Sequence, residues 1–267
     1  MSSKRLRLAL VAAVAAVLPL AACGSGDDQN TITIGTKFDQ PGLGMKTPQG
    51  MSGFDVDVAT YVAEQLGYSP DKIEWKEAPS PQRENLIETG QVDYIVATYS
   101  ITPEREKKVS FAGPYFTTGQ ALLVRADDNS ITGPESLNNN KVLCSVNNST
   151  PAQNIKKKYP NVQLQEYDTY SACIEALRNK AVDALTTDAV ILAGYAEQSP
   201  GQFKIPGQPF SVENYGIGLA KDDSELRGKI NDAIQKMIDS GAWQQAFQKN
   251  LGKSGYAMPA PPQVQRS

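Results

Sequence analysis

Residues 92–106, VDYIVATYSITPERE, bring three hydroxyls and an arginine to the end of an apolar run, a combination that builds a small-anion site. The stretch 92–97 suits a strand buried on both faces of a parallel sheet. Thr98, Ser100 and Thr102 then follow at its carboxyl end. Thr102 before Pro103 reads as a helix N-cap with proline at the first helical position, so free backbone N–H groups and the positive end of the helix dipole face the strand end. Arg105 lies one turn in, where its guanidinium can grip a carboxylate with two parallel bonds. Taken alone, Thr102 reads equally well as a plain cap and Arg105 as a solvated surface residue.

A second set of groups lies further along. In NNSTPAQNIKKKY, Thr150, Pro151 and Gln153 form a capping-box-like helix start beside Ser149. Asp188 ends the run ALTTD and supplies an acid; it also reads as the N-cap of the helix AVILAGYA. A zwitterionic amino acid needs an arginine and N–H or O–H donors for its carboxylate and an acid for its ammonium, and these two sets supply both. Arg83, in SPQRENLI, is either solvated or turned inward to hold a second, distal carboxylate. Phe38, in TKFDQPG, sits where an aromatic could pack on ligand methylenes or simply join the core.

The elements that must position these residues repeat. Residues 31–35 alternate as a strand, 55–66 form an amphipathic helix stopped by Gly67, 73–75 a strand, 82–88 a short helix, and 92–97 the strand already described. A second series follows: strand 140–146, the helix from Thr150, strand 162–166, helix 171–179, strand 182–185. The order predicts two α/β lobes, each a doubly wound, mostly parallel sheet. LIETGQVDYIVAT around Asp93 and ALRNKAVDALTTD around Asp183 echo each other, placing Thr98 and Asp188 five residues beyond the aspartate at carboxyl ends of strands, where open α/β sheets bind ligands. Residues 120–124 and 211–219 read as the outward and return crossings of a two-stranded hinge. Helices over 226–237 and 242–251 then return to the first lobe. The expected domains are 31–119 with 213–257, and 120–212, followed by a disordered proline-rich tail, 258–267.

Composition sets the compartment. Lys4, Arg5 and Arg7 precede an apolar run, 8–22, too short for a comfortable membrane span, so 1–22 reads as an export signal. LAAC ending at Cys23 resembles a lipobox, which implies lipidation of Cys23, with 23–30 as a flexible tether. The expected location is therefore extracytoplasmic, anchored to the cell membrane through lipid. Cys144 and Cys173 remain as an even pair, read as a disulfide or as two buried thiols. The 267 residues carry no histidine and a formal net charge of −3, which excludes histidine-dependent nucleophilic catalysis and gives no basic stripe for nucleic acid. No metal and no cofactor are expected.

GFDVDVA from Gly53, VDYIVATYSITPER from Val92, VSFAGPY from Val109 and TTDAVILAGYA from Thr186 resemble the family 3 extracellular solute-binding proteins, the polar amino-acid receptors of bacterial ABC importers. With APSPQRENLIETG, TKFDQPG, the lipobox and the cysteine pair, the chain is similar to actinobacterial glutamate-binding lipoproteins. The resemblance implies a two-lobed, type II periplasmic-binding-protein fold that closes on its ligand. It implies Thr98 and Asp188 as ammonium contacts, Ser100 and Arg105 as the α-carboxylate clamp, Ser149 and Thr150 as donors from the second lobe, and Arg83 as the side-chain carboxylate partner. The partners implied are glutamate or aspartate and the transmembrane subunits of an ABC permease, with the receptor itself a monomer and not an enzyme. Two other readings stand beside it: a cyclohexadienyl-type dehydratase on the same fold, and a receptor or sensor for glutamine or another polar amino acid. The cleft candidates suit holding a ligand better than proton transfer.

Overall fold

The computed structural model describes residues 31–138 and 140–265. The export segment, Cys23 and the tether lie outside the described residues, among which no helix is long and apolar enough to cross a membrane. In chain order the first part holds strand β1 (Ile32–Thr36), the short strands β2 (Asp39–Gln40), β3 (Gly44–Thr47) and β4 (Gly50–Ser52), and helix α1 (Phe54–Gln65). It continues with β5 (Ile73–Glu77), α2 (Arg83–Glu88), β6 (Tyr94–Ile95), α3 (Pro103–Glu106) and β7 (Ser110–Thr118). The middle part holds β8 (Gln120–Arg125), β9 (Val142–Val146), α4 (Thr150–Lys158), β10 (Gln163–Tyr167), α5 (Tyr170–Arg178), β11 (Ala184–Asp188), α6 (Ala189–Gln198) and β12 (Phe203–Lys204). The chain returns through β13 (Glu213–Leu219), α7 (Ser224–Asp239) and α8 (Ala242–Leu251).

Two five-stranded sheets organise these elements, one in the order β5-β1-β6-β13-β7 and the other β10-β9-β11-β8-β12. In each, three parallel strands carry the βαβ succession, a fourth (β13 or β8) adds antiparallel to them, and the fifth (β7 or β12) pairs antiparallel to the fourth. The echo around the two aspartates has a physical cause. The Asp93 carboxylate accepts from the Thr33 N–H at 2.7 Å, and Asp183 accepts from the Val142 N–H at 2.9 Å. Each acid therefore satisfies a backbone donor at or near the start of a neighbouring parallel strand and fixes the register of that lobe.

Several expectations change. The strand expected over 92–97 pairs only at Tyr94–Ile95, because the chain bends at Thr98, whose φ of 46° lies in the left-handed region. Residues 120–124 are an interior strand of the second sheet, not a hinge crossing. The crossings are Gly119 and the residues just before β13, and they touch: a Cβ on Gly119 would lie 2.3 Å from the Ser211 carbonyl oxygen. The small antiparallel sheet β2-β3-β4 has no alternating pattern and was not expected. The tail is held where it is described: Val264 packs on the main core, and the Gln265 N–H donates to the Gly113 carbonyl at 2.8 Å.

The first lobe is anchored by an aromatic cluster. Phe54 from α1, Phe116 from β7, and Trp243 and Phe247 from α8 lie with ring centroids 5.3–6.4 Å apart, and Trp243 donates its indole N–H to the Tyr115 carbonyl. In the second lobe Cys144 on β9 and Cys173 on α5, both fully buried, form a disulfide. Closing a loop of this length contributes about 3 kcal/mol through the unfolded chain. The C144A/C173A variant is expected to lose stability on that order in urea denaturation; an unchanged midpoint would refute the contribution.

Candidate functional site

The site is built where β6 and β11 end. At the β6 end, the turn at Thr98 is fixed from below: its N–H donates 2.7 Å to Asp55 Oδ2, while the Tyr115 hydroxyl donates 2.8 Å to Asp55 Oδ1. Asp55 is fully buried, and that burial raises its pKa to about 6. The Thr98 hydroxyl is itself committed to the Ala97 carbonyl and to Gln40 Oε1. Thr102 caps α3 by accepting from the Arg105 N–H. With only four residues in α3, the dipole expected there is short, and what the cap does is aim Arg105.

Arg105 is buried, so its reading as solvated surface is set aside. One terminal nitrogen donates to the Ser100 carbonyl at 2.8 Å and across the lobes to the Thr150 hydroxyl at 2.9 Å. Its Nε lies 3.2 Å from Glu84, and the guanidinium sits over the Tyr99 ring at 4.8 Å. Arg83 occupies the same ring at 5.1 Å. It is 3% exposed, turned inward, with Nε donating to the Ala78 carbonyl at 3.0 Å. Unlike Arg105, Arg83 forms no ion pair among the described residues. Burial first, and the Arg105 charge second, press its pKa below the usual arginine value.

The second lobe faces this with Ser149, Thr150 and Asp188. The cap of α4 is Ser149, not Thr150: its hydroxyl accepts from the Ala152 N–H, which leaves Thr150 free to meet Arg105. Asp188 stands at the N-cap position of α6, yet its side chain makes no cap bond. Instead Oδ2 accepts from the Tyr215 hydroxyl at 2.6 Å, and the buried Oδ1 has no hydrogen-bond partner. Burial and then the nearby Glu213 charge raise the Asp188 pKa to about 7. A buried, unpartnered acceptor is costly unless a donor comes to it.

Thr98, Ser100, Arg83, Arg105, Ser149, Thr150 and Asp188 line one small, tightly closed cavity. Gln40, Ser80, Pro151, Tyr170 and Ile191 line it as well and were not expected. Gln40 carries a buried amide nitrogen without a partner, and burial lifts the Tyr170 phenol to about 12, which keeps it a neutral donor. Phe38 does not line the cavity; its ring lies under Lys46 Nζ at 4.9 Å. The arrangement can therefore hold an anion on two guanidiniums and a cation on one carboxylate, with neutral donors and acceptors between them.

Residues 32–253 match the bacterial extracellular solute-binding proteins, family 3. The chain is 50% identical over 268 residues to a glutamate-binding protein of Corynebacterium efficiens, spanning 93% of this chain and 91% of that one. It is 35% identical over 262 residues to the ABC transporter glutamine-binding protein of Bacillus subtilis, spanning 91% and 95% of the two chains. Among solved structures, an ancestral arginine-binding protein bound to glutamine aligns with a TM-score of 0.77 at 34% identity, over 83% of this chain and 98% of that one.

Proposed function

The chain belongs to the bacterial extracellular solute-binding proteins, family 3, and from that premise we propose that it binds L-glutamate outside the cytoplasm and passes it to an ABC importer. The observation that carries the choice of ligand is Arg83. Arg105 already has Glu84 as its ion-pair partner, and the unpartnered Asp188 oxygen is suited to an ammonium. Arg83 is left as one buried positive charge without a carboxylate partner. Glutamate has a side-chain carboxylate to set against that guanidinium, whereas glutamine offers only a neutral amide there. On this reading Arg105, Ser100 and Thr150 hold the α-carboxylate, Asp188 holds the ammonium, and Arg83 holds the side chain. The mature protein is tethered through lipid on Cys23.

Isothermal titration with glutamate, aspartate, glutamine and asparagine tests the assignment. Tight binding of glutamine with no response to glutamate would sink it. Turnover of prephenate or arogenate would instead favour the dehydratase reading.

The Asp188 carboxyl gives a pH signature. An ammonium needs the ionised form, so below about pH 7 the ligand must displace a proton, and affinity is expected to fall by up to about tenfold per pH unit. Stability of the unliganded fold runs the other way. The Asp188 pKa is raised above that of the unfolded chain, so its contribution is full below about pH 4 and is lost as pH rises towards 7. Titrations in buffers of different ionisation enthalpy should show proton release at pH 6, and a pH-independent affinity between 5 and 7 would remove Asp188 from the ammonium site.

A further inference from the structure

The loop that follows β1 carries polar groups that the ligand site does not use. Lys37 is fully buried, with Nζ 3.1 Å from Asp39 Oδ1. The other Asp39 oxygen, Oδ2, accepts at 3.3 Å from both the N–H and the hydroxyl of Ser171 on α5, and at 3.3 Å from the Tyr195 hydroxyl on α6. Tyr195 also donates to the Asp39 backbone carbonyl. Asp39 lies in the first lobe and its three donor groups in the second, so this carboxylate bridges the jaw away from the cavity; none of Lys37, Asp39, Ser171 and Tyr195 lines it.

One further contact is steric. Gly194, inside α6, approaches the same loop so closely that a Cβ there would lie 2.2 Å from the Pro41 carbonyl oxygen. Its φ is an ordinary helical one, so no backbone requirement calls for glycine at this position. The requirement is the close approach of the two lobes.

We propose that residues 39–41 are a closing latch: Asp39, positioned by Lys37, receives Ser171 and Tyr195 while Pro41 seats on Gly194, and together they set how readily the lobes close on any ligand. Asp39 is a positioning residue, acting on the ligand only through closure. Because apparent affinity scales with the population of the binding-competent state, weakening the latch weakens every ligand by the same factor. Burial lowers the Lys37 pKa, and the neighbouring Asp39 carboxylate opposes that shift.

Gly194→Ala is the decisive variant, because alanine favours the helix that carries it and so leaves α6 intact. Tyr195→Phe removes the hydroxyl alone. Both are to be titrated with glutamate and with glutamine, using whichever of the two the unmodified protein binds where it binds only one, and the unliganded proteins melted. The expected result is a loss of at least about tenfold for Gly194→Ala and about tenfold for Tyr195→Phe. The factor should be equal for both ligands and appear in faster dissociation, with the unliganded melting temperature unchanged. Unaltered affinity in both variants, loss for one ligand only, or a matching drop in the unliganded melting temperature would each overturn the latch. The choice of probe rests on the proposed amino-acid site, and the two ideas fail separately: a wrong ligand assignment shows in the unmodified protein, a wrong latch only in the variants.

Discussion

Arg105→Ala is expected to lose at least about thirtyfold in affinity for every amino acid this protein binds, since truncating one partner of a buried charge pair costs about 2–5 kcal/mol. The residue reaches both lobes, bonding the Ser100 carbonyl on one side and the Thr150 hydroxyl on the other. An α-carboxylate is common to all amino acids, so the loss should not discriminate among them. Glu84 would also lose its ion-pair partner, which lowers the stability of the unliganded protein as well. Arg105→Lys separates the two effects. A lysine retains a charge near Glu84 but cannot reproduce the planar fork, so stability should recover while affinity stays low. Titration calorimetry together with thermal unfolding reads both quantities; retained affinity in Arg105→Ala would contradict the clamp.

What could be read from the residues alone was whatever local pattern dictates. The 3.6-residue spacing of Val58, Val62 and Ala59, Ala63 announced α1, all four buried in the structure. Thr98 and Asp188 were legible because each follows a Val-Asp strand start by a fixed distance, and that aspartate clamps its neighbouring strand in both lobes. Arg105 was legible through its threonine cap. Gln40 and Tyr170 were not, because β2 and α5 reach the cavity only when the two sheets face each other, and no spacing along the chain encodes that approach. Lys37 was hidden for a related reason. A lysine in a polar loop reads as solvated, and its burial depends on Asp39 and on the lobe that covers it. The crossings were displaced because the sequence marks strands by apolarity, and β8 is an apolar interior strand from Ala121 to Val124, while the crossings are Gly119 and the short stretch before β13.

Arg83→Met should separate the two carboxylates of the ligand. Methionine fills much of the space of the arginine stem without charge, and replacing a buried, unpaired cation with an apolar side chain removes its desolvation cost and its repulsion with Arg105. The unliganded variant is therefore expected to melt at or above the temperature of the unmodified protein. Glutamate affinity should fall by about a hundredfold or more, because the distal carboxylate would be buried against no cation. Glutamine carries a neutral amide at that position and should change by less than about tenfold, which reverses the preference between the two. A gain in stability with a loss of glutamate would mean that the strain of two guanidiniums over the Tyr99 ring is retained for the sake of the second carboxylate. Equal losses for glutamate and glutamine would show that Arg83 supports the cavity wall and selects nothing.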